Sequence, residues 1–250
     1  MKNALKGFAG FLVVLVFSAG LAAQTSAARY DQDIQAKVAH QFADKKEFHH
    51  VTSSVEDGIV TLTGTVDLYQ QKLDAAKKAR KTAKVQGVRN QILVSSAAPD
   101  NQLMAKLDRK LYFDRIGYDN LFNYVTVSVK DGVATVNGTT RTDVGKDSAM
   151  AIVTRTEGVK DVIDNVKVAP VSGFDDQIRL AATRAIYHDA VLGRYASDPA
   201  LPIRIVVDNG HLTLYGTVDS TMDKNVAGIR AGQVFGVFSV QNNLQVAGRS

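Results

Sequence analysis

The sequence predicts an α+β protein built from three tandem small domains. Each is an α-β-β-α-β unit, a three-stranded mixed sheet with its helices on one face. Three observations lead there. An eight-residue phrase occurs three times, as DGIVTLTG at 57–64, DGVATVNG at 131–138 and NGHLTLYG at 209–216. Ahead of each phrase apolar residues recur every four positions, the spacing of a helix face. Within each phrase they alternate, the spacing of a half-buried strand. A shift of 74 residues lays the phrase and everything after it in the first copy onto the second without a gap, and a further 78 reaches the third. Such a long period, with self-contained patterning, argues for beads on a string rather than a stacked solenoid.

The elements of each copy follow in order. The first helix carries Ile34, Val38 and Phe42 in repeat 1, Leu103, Leu107 and Leu111 in repeat 2, and Ile178, Ala182 and Ile186 in repeat 3. Asp31, Asp100 and Asp175 stand at its start, where a carboxylate is expected to cap the free amides. The first strand holds Val51, Ser53 and Val55, then Val125, Val127 and Val129, then Ile203, Ile205 and Val207. Asp57-Gly58, Asp131-Gly132 and Asn209-Gly210 suit a tight hairpin, because both central residues tolerate positive φ. In the second strand Val60/Leu62, Ala134/Val136 and Leu212/Leu214 share one face, and Gly64, Gly138 and Gly216 are expected to end it. The second helix starts near Asp67, Thr142 and Ser220. Its apolar stripe reads Leu73, Ala76, Ala83; Ala149, Ile152, Val153; and Val226, Ile229, Val234. A last strand closes each copy, and a strand-helix-strand order favours a parallel crossover.

This divides the chain into a first domain at 29–94, a linker at 95–99, a second domain at 100–169, a linker at 170–174 and a third domain at 175–247. Each linker contains Pro and is short, so it is expected to be semi-rigid. Residues 1–28, MKNALKGFAGFLVVLVFSAGLAAQTSAA, have the parts of a secretory signal peptide. Lys2 and Lys6 give the charged start, Phe8 to Phe17 the apolar run, and Gly20-x-Ala22 or Ser26-x-Ala28 the cleavage point. The alternative is a retained single anchor, for which the apolar run is short. The expectation is a protein exported to the periplasm. The composition is globular, at 45% hydrophobic and 22% charged. The absence of Cys excludes disulfides, thiolate nucleophiles, Cys-ligated metals and a lipidated cysteine anchor.

An amphipathic helix, DGxVxLxG, an Ala-rich helix and a closing GVxxVxNxLxV together resemble the BON domain, the bacterial osmotically induced and nodulation family. The closing motif runs from Gly158-Val159 through Val162 and Asn165 to Val168, and from Gly236-Val237 through Val240 and Asn243 to Val246. Repeat 1 departs from it, with Lys84 at the glycine and Gln91 at the asparagine. The resemblance implies a non-catalytic protein of the periplasm or envelope, called transport-associated and linked to phospholipid binding, osmotic stress and envelope integrity. Paired copies are common in the family, and a third is a departure.

The residues themselves offer little chemistry. The glycines of the triplicated phrase are six apart, not crowded into a strand-to-helix turn as a phosphate cradle requires. His40, His49, His50, His188 and His211 are scattered, and neighbours such as His49 and His50 point to opposite faces of a strand. No nucleophile-base order or carboxylate pair recurs, so no enzyme, cofactor, metal or small-molecule substrate is expected. Export argues against a nucleic-acid partner.

Charge is more informative. Repeat 1 (29–94) carries 11 Lys/Arg against 8 Asp/Glu, whereas repeats 2 and 3 balance at 10 against 10 and 7 against 7. Lys72, Lys77, Lys78, Arg80, Lys81 and Lys84 crowd the second helix of repeat 1, with Lys77, Lys81 and Lys84 at i, i+4, i+7. Such a ridge suits an anionic phospholipid surface, or is an ordinary solvated helix face. The stretch from first helix to hairpin glycine varies, with separations of 16 (Phe42 to Gly58), 21 (Leu111 to Gly132) and 24 (Ile186 to Gly210). Repeat 2 fills it with Tyr112, Phe113, Tyr118, Phe122 and Tyr124, and repeat 3 with Tyr187, Leu192, Tyr195, Leu201 and Pro202. Aromatic bodies with polar tips suit a membrane interface or a protein contact, or they pack neighbouring domains together. Three roles stay open: association with anionic phospholipid at the envelope, a soluble stress chaperone or scaffold, and assembly with envelope proteins.

Overall fold

The computed structural model describes residues 28–113 and 120–248. The expected signal peptide therefore lies outside the described residues except for Ala28. Repeat 1 comprises α1 (Asp31–Ala43), β1 (Val51–Glu56), β2 (Ile59–Val66), α2 (Tyr69–Arg80), β3 (Gly87–Asn90) and β4 (Leu93–Val94). Repeat 2 comprises α3 (Asp100–Tyr112), β5 (Tyr124–Lys130), β6 (Val133–Thr140), α4 (Asp143–Thr154) and β7 (Asp161–Val168). Repeat 3 comprises α5 (Gly173–Tyr187), β8 (Ile203–Asp208), β9 (His211–Val218), α6 (Thr221–Gly232), β10 (Ser239–Asn242) and β11 (Gln245–Val246). The fold class is the one the sequence predicts, although α5 begins two residues early, inside the expected linker, where Ser172 Oγ caps it by accepting from Asp175 N–H.

In every repeat the middle strand is the hairpin's second, antiparallel to the first and parallel to the last. The last strand is continuous in repeat 2, but β3/β4 and β10/β11 are single strands interrupted once. The interruption coincides with an asparagine that reaches out to the helix. Asn90 Nδ2 donates to the Lys72 carbonyl while its Oδ1 accepts from Ile92 N–H, and Asn242 does the same with Lys224 and Leu244. The equivalent residue in repeat 2 is Asp164, which cannot donate and instead pairs with Lys146 at 2.9 Å.

One core fills each repeat between its helices and the covered face of the sheet. In repeat 1, Ile34, Val38, Val60, Leu62, Ala75, Ala79 and Ile92 are fully buried. The first-helix stripe is as predicted, with Leu111 only half-buried at its end, and the second is as predicted at Ala149, Val153 and Val234 but displaced in repeat 1 and at Ile229. The innermost positions are Ala75/Ala79, Ala149/Val153 and Ala227/Ala231, while Leu73 and Ile229 are exposed.

The two conserved-in-place turn features also need correction. Gly64, Gly138 and Gly216 do not end their strands; β2, β6 and β9 each run two residues further. All three adopt positive φ, and a Cβ on them would stand 1.8 to 2.0 Å from a carbonyl of the neighbouring strand (His50, Tyr124 or Pro202). They are close-approach glycines, a role no other residue fills. Asp31, Asp100 and Asp175 do not cap their own helices. Each carboxylate leaves the helix and accepts from both amides of the hairpin turn. Asp57 and Gly58 donate to Asp31 at 2.9 and 2.8 Å, Asp131 and Gly132 to Asp100 at 2.7 and 2.9 Å, and Asn209 and Gly210 to Asp175 at 3.0 and 2.8 Å. The turn residues have φ between +50° and +80° and leave their amides pointing away from the ladder. A carboxylate with two acceptor oxygens satisfies both.

Candidate functional site

The basic segment of repeat 1 lies at the C-terminal end of α2. That helix stops at Arg80, so Lys81 is its cap residue and Lys84 is beyond it, not on a shared helical face. Lys84 has φ +74° and occupies the turn position held by Gly158 and Gly236 in the other repeats. Its ammonium sits 4.6 Å from the centre of the Tyr30 ring, a cation–π contact that stabilises the strained turn. Lys72 stands at the other end, 5.9 Å from the Tyr69 ring. Lys77, Arg80 and Lys81 are exposed and Lys78 is half-buried. Among the described residues, the ion pairs of repeat 1 are Lys37–Asp33 and His40–Asp44, both on α1 or at its end. Lys77, Lys78, Arg80, Lys81 and Lys84 thus have no carboxylate partner there. Their charge complements the negative end of the α2 dipole and otherwise projects into solvent.

The aromatic segment of repeat 2 is placed mostly at the joint with repeat 3. Tyr112 closes α3; its hydroxyl donates to Asp198 at 2.7 Å and its carbonyl accepts from Arg204. Burial, reinforced by Asp198, pushes the Tyr112 phenol up to about 12. Phe113 packs edge-on against Tyr112 at 4.9 Å and is half exposed. Phe122 is half-buried against the core of repeat 3, with the Arg141 guanidinium 5.9 Å from its ring. Tyr118 lies outside the described residues. Tyr187, Leu192 and Tyr195 belong to the core of repeat 3 itself.

Besides the expected Tyr124, the joint uses residues that carried no signal in the sequence, among them Leu121, Arg141, Asp176 and Tyr215. Leu121, only 8% exposed, lies in the hydrophobic core of repeat 3 although it belongs to repeat 2. Tyr124 and Tyr215 stack face to face at 3.9 Å. Arg141 grips Asp176 through two bonds of 3.0 Å, and Arg179 adds a third to the same carboxylate. A cleft of about 360 Å³ opens between the two repeats, lined by Asp108, Tyr112, Tyr124, Thr140, Arg204 and Gln245 among others. The joint of repeats 1 and 2 is slighter. Thr154 Oγ1 donates to Gln70 at 2.7 Å, Gly158 N–H to Ser96 Oγ at 3.0 Å, and Tyr69 bonds Asp161.

A third surface is at the corner between α6 and β10. Phe235 is 97% exposed and Phe238 71%, and Phe174 lies 5.9 Å from Phe238. His211 stands 6.1 Å from Phe238, and its Nδ1 is 2.7 Å from Ser239 Oγ. His49 and His50 are exposed, and among the described residues no three His, Asp or Glu side chains gather as a metal site. Nor is any described helix long and apolar enough to cross a membrane.

The family model for the BON domain matches the chain three times, at residues 30–96, 100–170 and 188–248. The third match starts beyond α5, which the fold nevertheless supplies. Among solved structures, the chain is similar to CdsD, a structural protein of the type III secretion system of Chlamydia trachomatis. In one such structure the identity is 15%, over 87% of this chain and 92% of that one, with a TM-score of 0.23. The C-terminal domain of CdsD gives 14% identity over 86% and 96%, with the same TM-score. No curated protein matches the chain.

Proposed function

The chain belongs to the BON domain family, in three consecutive copies, and from that premise we propose that it is an exported, non-catalytic protein that associates with anionic phospholipid at the envelope and supports envelope integrity under osmotic stress. The observation that carries this reading is the end of α2 in repeat 1. Five basic side chains, Lys77, Lys78, Arg80, Lys81 and Lys84, gather there with no carboxylate partner among the described residues. A cation near an anionic membrane surface gains about 1 kcal/mol, so a cluster of this size holds a small protein at a bilayer. The contact is electrostatic and weakens with salt. The families' glycines support the fold rather than a ligand, and the triplicated hairpin supplies three equivalent corners of which this one is basic.

Co-sedimentation of the chain lacking residues 1–28 with vesicles tests the reading. Binding should rise with the phosphatidylglycerol fraction, and the quadruple charge reversal Lys77→Glu, Lys78→Glu, Lys81→Glu and Lys84→Glu should abolish the low-salt component. Binding indifferent to both lipid charge and the reversal refutes it.

A further inference from the structure

The corner between α6 and β10 of repeat 3 carries an exposed aromatic cluster that the equivalent corners of the other repeats lack. We propose that it is a membrane-insertion tip, with Phe235 and Phe238 entering the acyl–headgroup boundary of a phospholipid bilayer; this rests on the lipid-surface reading above and adds a second, apolar point of attachment.

The backbone at this corner is fixed. Val237 N–H donates to Val234 at 3.2 Å, Phe238 N–H donates to Gly210 at 2.9 Å, and Gly236 holds φ +89°. The rings are nevertheless turned outward, and a side chain 97% exposed stands clear of its own protein surface. The fold does not require aromatic residues here. The positions equivalent to Phe235 and Phe238 are Ala83 and Gln86 in repeat 1, and Glu157 and Lys160 in repeat 2. Phe174, 44% exposed and beside Phe238, takes the place of Tyr30 and Pro99. Three aromatic rings have therefore been collected at a corner that works without them.

The size and shape of the patch indicate its occupant. Together the three rings expose roughly two whole phenylalanine side chains, on the order of 300–500 Å². A stable protein interface needs about 800 Å² on each partner, so the patch is small for a protein and projects where such an interface would need to be broad. A fluid bilayer needs no matching shape; it needs apolar tips with a polar base and no stranded negative charge. Residues 233–239, Gln-Val-Phe-Gly-Val-Phe-Ser, contain no acid. The nearby Asp175 has both oxygens occupied by the hairpin amides. His211 and Ser239 supply a polar collar.

The chain has no tryptophan, so Phe235→Trp introduces a single reporter into the complete chain without its first 28 residues. Vesicles of phosphatidylcholine and phosphatidylglycerol are added, with and without brominated acyl chains. The emission should shift to the blue and be quenched by bromine. Phe235→Ser with Phe238→Ser should weaken binding about tenfold, and this loss should persist at high salt, where the lysine reversal no longer matters. An unshifted, unquenched Trp on vesicles that still sediment the protein overturns insertion alone and leaves the basic surface standing. Wild-type affinity in the double serine variant does the same. No sedimentation of the wild type with anionic vesicles overturns both.

Discussion

Removing the carboxylate of Asp175 should unfold repeat 3 far below the point at which the native protein does. The residue is 2% exposed and accepts from Asn209 N–H at 3.0 Å and Gly210 N–H at 2.8 Å. A hydrogen bond to a charged group contributes about 1.5–3 kcal/mol, and a buried donor left unpaired costs about 1–3 kcal/mol. Gly210 N–H is enclosed with no other acceptor, whereas Asn209 stands at the surface and can turn to water. Asp175→Ala should therefore cost about 3–5 kcal/mol. Asp175→Asn keeps one oxygen but aims an NH₂ group at the other amide, and should cost about half as much. With a urea slope of about 1–3 kcal/mol/M, the alanine variant should lower the midpoint of the repeat 3 transition by more than about 1 M. Asp31 and Asp100 make the same bonds while only half-buried, so their alanine variants should move the midpoints less. Circular dichroism against urea, with hydrogen exchange to assign each transition to a repeat, provides the readout. If Asp175→Ala shifts the midpoint no more than a surface substitution, or Asp175→Asn is indistinguishable from wild type, the clamp does not hold the turn and the reasoning fails.

Three further outcomes are expected. Gly216→Ala places a Cβ 1.8 Å from the Pro202 carbonyl at φ +113°; it should cost more than about 3 kcal/mol and remove the native near-ultraviolet signal of repeat 3, whereas Gly173→Ala, with open space around it, should be silent. Leu121→Ala should destabilise repeat 3 by about 2–3 kcal/mol, more than it destabilises the repeat that contains it, as resolved by hydrogen exchange. Arg141, with Arg179, holds the Asp176 carboxyl below its ordinary range. The stability this provides is present above the unfolded value of about 3.9 and is lost as pH falls through the depressed folded value. The joint of repeats 2 and 3 should therefore begin to weaken only below about pH 4 and become protease-sensitive once the pH has fallen past that depressed value, and Arg141→Ala should bring the same sensitivity to neutral pH.

How much was legible depends on how local the cause was. The hairpins followed from Asp-Gly and Asn-Gly because the φ requirement belongs to two adjacent residues. The first-helix stripe followed from a four-residue period and is buried as read. Asp31, Asp100 and Asp175 misled because capping is a local explanation, while their true partners lie 26 to 35 residues away. The second-helix stripe held at Ala149, Val153 and Val234 but slipped in repeats 1 and 3, because alanine faces are weak in hydrophobicity and Leu73 and Ile229 drew the reading outward. The basic residues were visible as composition, but not the break at Arg80 that sets Lys84 apart from the helix. The exposed pair Phe235 and Phe238 gave no signal in the sequence, since nothing local separates an outward ring from a buried one.

Leu121 has a bearing on how such a chain could have been assembled. Three copies of one fold look interchangeable, like beads that can be reordered or dropped. A leucine seated in the next bead removes that freedom for the last two. Repeat 3 lacking repeat 2 would carry an open notch in its core where the Asn120–Phe122 turn meets β8, and repeat 2 moved elsewhere would bare Leu121 to water. Duplication gave the chain three similar parts, but shuffling now meets least resistance at repeat 1, whose joint rests on Tyr69 and a few hydrogen bonds, and most at the pair that follows. New copies could be added or lost at the front of the chain, and the order of the rest has become part of the fold.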